Sequence, residues 1–287
     1  MKRLKGIVNE LTQAAEPAQE RIREFIFYSP KMPLRLHQQQ LLSEAHAFTL
    51  PVRDDYFSGS EVEINCFSWG KGTNKLLLTH GWASKAADFY ELIQELRSID
   101  NLEIIAFDAP GNGSSISEFS NLMLYVESIK SISNFYAKPD VLIGHSLGGM
   151  ANVLAIQNLD LTPRLLISIA PLIRLKENFE QSMQSVEIKP EARQLFFENF
   201  SKEFPVDAGY FNLQDRYELD ENINHYLAYD PEDHISPLAY LEEFLTDHPA
   251  ISAQAFEGVG HYKILKSVPV ISEVLKKVSA VMSKDPA

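Results

Sequence analysis

Apolar and polar positions follow two different periods along this chain, and the period changes near residue 46. Before that point, in "LKGIVNELTQAAEPAQERIREFIF", apolar residues recur at Leu4, Ile7, Val8 and Leu11. They recur again at Ile22, Phe25, Ile26 and Phe27, with Pro17 between the two runs. Spacings of three and four residues line one face of a helix, and proline interrupts a helix because it lacks the N–H the ladder needs. Residues 1–45 are therefore expected to form a helical leader. It is read as packing on the protein's own body. A weak membrane-surface or partner helix is the alternative, because the segment is mildly basic.

Beyond it, "AFTLPV" and "EVEINCFSW" alternate, as the antiparallel strands of a half-exposed sheet do. "KLLLTHG", "LEIIAFDAPG", "VLIGHS" and "LLISIAP" are instead short continuous apolar runs. Strands covered on both faces of a parallel sheet read that way. Amphipathic helices separate them. Ser84 is expected to cap one carrying Phe89, Leu92, Ile93 and Leu96. A second carries Phe119, Leu122, Val126, Ile129 and Ile132, and a third runs from Leu147 to about Leu159. Strands alternating with helices imply right-handed crossovers and a doubly wound, mostly parallel sheet.

Residues 172–220 break the alternation. They are helical in pattern and rich in phenylalanine (Phe179, Phe196, Phe197, Phe200 and Phe204), which reads as an insertion after the sixth strand folding over the sheet as a lid. The alternation resumes with "INHYLAYD". A helix follows with Ser236 as its expected N-cap and Pro237 at its first position. "ISAQAFEG" is the last strand. The last helix carries Val270, Val274, Val278 and Val281 on one face. The expected organisation is a leader at 1–45 and a main α/β domain at 46–287 that contains the 172–220 insertion.

Composition refines this only at a few points. The chain has 287 residues, 45% of them hydrophobic and 23% charged, enough to bury a large core. A single cysteine, Cys66, permits no intrachain disulfide. The first twenty residues lack the apolar stretch of a secretory signal, and no window resembles a membrane-crossing helix. A soluble, cytoplasmic protein is expected. The net charge of −13 is uneven: residues 1–40 carry seven Lys/Arg and four Asp/Glu, whereas residues 221–260 carry eight Asp/Glu and no Lys or Arg. Nucleic acid is not an expected partner, since its binding requires clustered cationic charge.

The chemistry starts at "VLIGHSLGGM", residues 141–150. Gly144, Gly148 and Gly149 stand at −2, +2 and +3 from Ser146. This G-x-S-x-G spacing, with a strand before and a helix after, is the nucleophile elbow, a turn that holds a serine in a strained conformation with its hydroxyl exposed above a sheet edge. Such a serine needs a base, and the base needs an orienting acid, in the chain order serine, acid, histidine. Of the eight histidines, His80 and His145 come too early. His225 falls within a strand, and His248 at a helix end has a plain electrostatic role there. His261, in "EGVGHYKIL", follows the last strand and is the candidate base. The acid comes from "YDPEDHISP", where Asp230 and Asp233 compete with Glu232 between them. Asp233 is favoured, because an aspartate before proline often caps its own turn. No metal site is expected from Asp230, Glu232, Asp233 and His234, since no second group of ligands lies nearby. Two backbone N–H groups are candidates for an oxyanion hole. They belong to Leu147, which follows the serine, and to Trp82 in the "THGWAS" loop.

With "HGW" at 80–82, "DAPGNGSS" at 108–115, "GHSLGG" at 144–149, "DHISP" at 233–237 and "GHYKIL" at 260–265, the chain resembles the α/β-hydrolase-fold serine hydrolases over about residues 47–282. The resemblance implies a Ser146–His261–Asp233 triad, an acyl-enzyme and no metal or organic cofactor. It gives Asp108 a structural rather than a catalytic role and implies nothing for the leader. A serine at the nucleophile position disfavours the aspartate-based epoxide hydrolases and haloalkane dehalogenases. The expected substrate is a neutral ester of small or medium size, the Phe-rich segment favouring an apolar group and the acidic 221–260 stretch opposing a polyanion. Carbon–carbon bond hydrolases, lactonases and thioesterases share the triad. A non-catalytic binding protein on the same fold is the alternative of a different class.

Overall fold

The computed structural model describes residues 2–14 and 17–283. Met1, Ala15, Glu16 and residues 284–287, which the expected leader and main-domain boundaries include, lie outside the described residues. Three helices open the chain: α1 (Lys2–Gln13), α2 (Gln19–Phe27) and α3 (Leu36–Ser43). An eight-stranded sheet follows, composed of β1 (His46–Asp54), β2 (Ser60–Gly70), β3 (Asn74–Thr79), β4 (Leu102–Asp108), β5 (Val141–His145), β6 (Leu165–Ile169), β7 (Asn224–Tyr229) and β8 (Ser252–Ala255). Its order is β1-β2-β4-β3-β5-β6-β7-β8. β1, β2 and β4 pair antiparallel, and every pairing from β4 through β3 to β8 is parallel.

Burial explains the two strand patterns. β4, β5 and β6 are buried at every position, as continuous apolar runs require, whereas β1 at the sheet edge alternates between buried and exposed residues. Helices α5 (Leu122–Phe135), α6 (Leu147–Asn158) and α10 (Leu238–Asp247) cover one face of the sheet. Their Leu124, Ile129, Met150 and Phe244 join a core with Ile105 and Leu142. Helices α4 (Tyr90–Leu96) and α11 (Val268–Met282) cover the other face, where Leu92, Ile93, Val274 and Val278 pack on Leu78 and Ile143. Between β6 and β7 the chain leaves the sheet for α7 (Leu175–Ser185), α8 (Pro190–Glu203) and α9 (Leu213–Arg216).

Two expected caps are corrected. Ser236 does not cap α10. Pro237 is the N-cap residue, and the Ser236 hydroxyl donates instead to the Pro171 carbonyl, tying the acid loop to the end of β6. Nor does Ser84 cap the helix before Leu96: its hydroxyl donates to Asp88 at 2.8 Å, and α4 follows a short 3₁₀ turn at Ala86–Phe89. The acceptor that wins is a distant carbonyl for Ser236 and a nearby carboxylate for Ser84.

Within the leader, Leu41 of α3 joins the core on the α4 and α11 face of the sheet, whereas α1 and α2 pack on a third cluster. Ile7, Leu11, Ile22, Ile26 and Phe27 meet Met183, Phe196, Phe200 and Phe204 of the segment between β6 and β7. Phe27 sits at the middle of this cluster, with ring centroids 5.3 Å from Phe57, 5.4 Å from Phe204 and 6.1 Å from Phe179. Hydrogen bonds fasten the leader below as well. Ser120 N–H donates to the Phe27 carbonyl at 2.9 Å, Ser29 donates to Asn112, and the Lys31 ammonium donates to the Ser115 carbonyl at 2.6 Å.

Candidate active site

Ser146 is the single residue between β5 and α6, and it adopts φ 53° and ψ −120°, a region that side chains rarely enter. The turn is this sharp because its surroundings leave no slack. A Cβ on Gly144 would come within 2.5 Å of the Gly148 carbonyl oxygen, and one on Gly148 within 2.1 Å of the Thr79 carbonyl oxygen. Ser146 N–H donates to the Ile169 carbonyl at 3.0 Å and the Leu172 N–H to the Ser146 carbonyl at 3.1 Å, so the elbow is clamped to the end of β6.

The structure brings Ser146, His261 and Asp233 together. His261 Nδ1–H donates to Asp233 Oδ2 at 2.6 Å. The Ser146 hydroxyl donates to His261 Nε2 at 2.9 Å. Asp233 Oδ1 accepts the Ile235 and Ser236 N–H groups at 2.8 and 3.1 Å, which fixes the carboxylate plane. Burial alone would raise the Asp233 carboxyl's pKa. The hydrogen bond and charge of His261 and the two backbone donors outweigh it and hold the group below the usual carboxylate range. An ionised Asp233 in turn selects the His261 tautomer with a bare Nε2 facing the serine.

Asp230, the competing acid, has a different position. It accepts N–H groups from Gly260 at 2.6 Å, from Gly258 at 3.3 Å and from Glu232 at 3.0 Å. It caps its own turn and also latches the loop that presents His261. With Asp230 held by backbone donors and Asp233 by His261, these carboxylates and His234 do not converge on a common point, and among the described residues no group of three metal-ligating side chains does.

Sequence reasoning missed one neighbour. His145 Nε2–H donates to the His261 carbonyl oxygen at 2.9 Å, tying the serine's flank to the histidine loop. Burial, then the charge of His261, depresses its pKa to about 3, so it is a neutral support. The histidine in front of the motif serine was visible in the sequence, but its reach to residue 261 depends on the sheet placing β5 beside the last loop. His80 is likewise structural: its Nε2 accepts the Ala109 N–H at 3.0 Å and its Nδ1–H donates to the Gly81 carbonyl at 2.7 Å. Asp108 accepts Ala86 N–H at 2.8 Å and both the N–H and hydroxyl of Ser114 at 2.7 Å, the turn-forming role expected of it.

Leu147 is the first residue of α6, and Trp82 lies in the turn after β3 beside Gly81, whose Cα faces the Ser146 side chain. Among the described residues neither the Leu147 nor the Trp82 N–H donates to another backbone group. Both residues line a cavity of about 460 Å³ that also exposes Ser146 and His261. Its roof comes from the leader, through Leu4, Phe25 and Tyr28, and from α7, through Asn178, Phe179 and Gln181. Among the described residues no Asp, Glu, Lys or Arg lines it.

Residues 76–270 match the model of the alpha/beta hydrolase family. The chain belongs to that family. The solved structures similar to this hydrolase include an esterase from Pyrococcus furiosus, at 16% identity and TM-score 0.63, covering 89% of this chain and 95% of that one. A thermophilic esterase from Thermogutta terrifontis is similar at 17% identity and TM-score 0.58, covering 82% of this chain and 99% of the other. An epoxide hydrolase from Vigna radiata is similar at 16% identity and TM-score 0.56, covering 83% and 98%. Identities this low establish the shared fold. No curated protein matches the chain. Among the described residues no helix is long and apolar enough to cross a membrane.

Proposed function

We propose that this alpha/beta hydrolase is a serine hydrolase that cleaves neutral carboxylic esters of small or medium size through an acyl-enzyme. The observation that carries the reading is the unbroken hydrogen-bond chain from Ser146 Oγ through His261 to Asp233, all three buried, with Ser146 and His261 facing one cavity. In this mechanism the Ser146 oxygen attacks the ester carbonyl while its proton passes to His261 Nε2. The resulting imidazolium is held by ionised Asp233, and the Leu147 and Trp82 N–H groups receive the oxyanion. The C–O bond to the alcohol then breaks as His261 returns the proton to the departing oxygen. Water, deprotonated by the same histidine, releases the carboxylic acid and restores Ser146. General acid–base transfer of this kind contributes about 10²–10⁴ in rate, and each oxyanion donor about 10²–10³.

The uncharged cavity wall favours a neutral substrate, because a buried charge without a partner costs several kcal/mol. Opening an epoxide through an ester intermediate calls for a carboxylate nucleophile, and the elbow carries a serine. In this reading the 172–220 segment is the cap of the 46–287 domain, and the 1–45 leader completes it. The test is hydrolysis of p-nitrophenyl esters from acetate to palmitate beside Ser146→Ala, with phosphonate labelling followed by mass spectrometry. Turnover and labelling at Ser146, both absent in the variant, are expected. No labelling of the wild type would overturn the enzymatic reading in favour of a binding protein.

A further inference from the structure

A second cavity, of about 220 Å³, adjoins the catalytic one. The two share Phe27, Asn121, Leu122, Leu175 and Phe179 as a common wall. From this we propose that the second cavity is the site for an unbranched, medium-length acyl chain of the substrate, a proposal that rests on the ester-hydrolase reading above and names its substrate class.

The chamber's own walls are mainly apolar. Met123 and Leu154 come from the sheet-covering helices, Phe200 from α8, and Phe204, Val206 and Phe211 from its C-cap and the segment after it. Asn121 stands in the common wall, but its side-chain oxygen already accepts the Leu124 N–H at 2.9 Å as the N-cap of α5, so it offers no strong acceptor there. Of the other polar members, Tyr56 is half-buried, while Asn158 and Tyr210 are exposed and mark an outer end. Among the described residues no charged side chain lines the space. A chamber with mainly apolar walls, adjoining the cavity that holds Ser146 and lined by no charged group among the described residues, fits a chain of methylenes whose reactive end is at Ser146.

The order of product release assigns the chain to the acyl side. The alcohol must leave before water attacks, and the rim of the catalytic cavity is open at exposed Tyr262. The acyl group stays bonded to Ser146 at that moment, and a side chamber holds its tail without blocking the rim. The leader takes part directly, since Phe27 stands in the common wall.

The experiment compares two ester series. Along acyl length, p-nitrophenyl acetate to decanoate, kcat/KM is expected to rise about fourfold per methylene that enters the chamber, and to level once the chain reaches the exposed end. Along alcohol length, alkyl acetates of the same range, the rise is expected to be much shallower. Val206→Trp and Met123→Trp narrow the chamber from two sides at half-buried positions. Each is expected to lower the octanoate-to-acetate ratio of kcat/KM at least tenfold. The ratio is the readout, so a general loss of activity does not count. An unchanged ratio in both variants, or a change confined to the alcohol series, would overturn the assignment. Calorimetric binding of the neutral ester methyl octanoate to Ser146→Ala tests the chamber without catalysis. Binding that weakens in Ser146→Ala/Val206→Trp supports the site, and absent binding overturns it even where esters are cleaved. If no ester is cleaved, the hydrolase reading falls, and the methyl octanoate result still decides the chamber.

Discussion

Residues 141–172 and residues 175–211 border the same cavity on different terms. The first stretch, with the elbow, is held by backbone geometry: Ser146 at positive φ, two backbone hydrogen bonds to the end of β6, and carbonyl oxygens within 2.1–2.5 Å of any Cβ added at Gly144 or Gly148. The second is held by rings. Phe179, Phe196, Phe200 and Phe204 gather around Phe27 of the leader at centroid distances of 5.4 to 6.5 Å. Directional contacts position reacting atoms to fractions of an ångström, which catalysis requires. Apolar contacts are non-directional and scale with area, so they can be resized without moving the chemistry. Under the proposed function, the comparison separates rate, set by the elbow and its loops, from selectivity, set by the roof.

The largest effect that would break this division lies at the acid. Asp233→Asn keeps the acceptor for the Ile235 and Ser236 N–H groups, so the fold is expected to stay within about 1 kcal/mol of the wild type. The amide cannot hold the working His261 tautomer, and kcat is expected to fall about 10⁴-fold. Stopped assays on p-nitrophenyl acetate and a urea titration read the two quantities. A loss below tenfold would mean that Asp233 does not orient the base. Asp230→Asn, three residues away, is expected to loosen the 258–260 loop and lower activity and stability together.

At the roof the balance is reversed. Phe27→Ala removes a fully buried ring at the junction of leader, α7 and α8, and is expected to cost about 3–5 kcal/mol in stability. Its effect on the ester series is expected to be a shifted chain-length preference rather than the 10⁴-fold loss of the acid variant. Denaturation and the octanoate-to-acetate ratio measure both. A uniform collapse of activity with the preference unchanged would show that the leader supports the elbow and not the pocket.

Acid sharpens the comparison, because one buried histidine, His145, lies in the elbow stretch and another, His225 of β7, lies outside both stretches. Burial holds His145, beside Ser146, and His225, on β7 against Tyr217, at pKa values of about 3. Unfolding releases each to about 6.5, so between those values the unfolded chain binds more protons and stability falls as pH falls. At pH 5 each is expected to cost about 2 kcal/mol relative to pH 7. His225 bonds Ser168 at 2.9 Å and Tyr217 at 2.8 Å, and His225→Gln is expected to be weaker at pH 7 but flatter from pH 6.5 downward. Denaturation free energies at half-unit pH steps give the slope. An unchanged slope would mean that His225 is protonated in the fold.

These contrasts also explain what could be read from the residues alone. Ser146, His261 and the parallel strands were legible because each depends on local signals, namely the glycine spacing around the elbow and the continuous apolar runs. Asp233 was legible only as the better of two candidates. Its advantage over Asp230 rests on where the Gly258 and Gly260 N–H groups lie, 28 and 30 residues along the chain from Asp230. The leader's helices were readable from their three- and four-residue spacing, but not their partner. An amphipathic face states that it must be covered, not by what. Phe27 closes against α8 because the sheet brings residues 27 and 200 together, and no periodicity encodes that distance. Ser236 failed as a cap for the same reason, a distant carbonyl at Pro171 being the better acceptor.

The smallest expected effect tests whether the elbow stores strain. Ser146 holds φ 53° because its neighbours leave the backbone no alternative. An alanine there keeps the Cβ and the strain and loses only the bond to His261. A glycine loses the Cβ as well, and at positive φ it carries no steric penalty. Both variants are expected to be inactive, yet Ser146→Gly is expected to be more stable than Ser146→Ala by about 1 kcal/mol, even though glycine gains more freedom on unfolding. Paired urea titrations at pH 7 resolve a difference of that size when their slopes agree. If Ser146→Gly proves equal to or weaker than Ser146→Ala, the positive φ carries no net cost, and the rigidity ascribed to the elbow belongs to its hydrogen bonds alone.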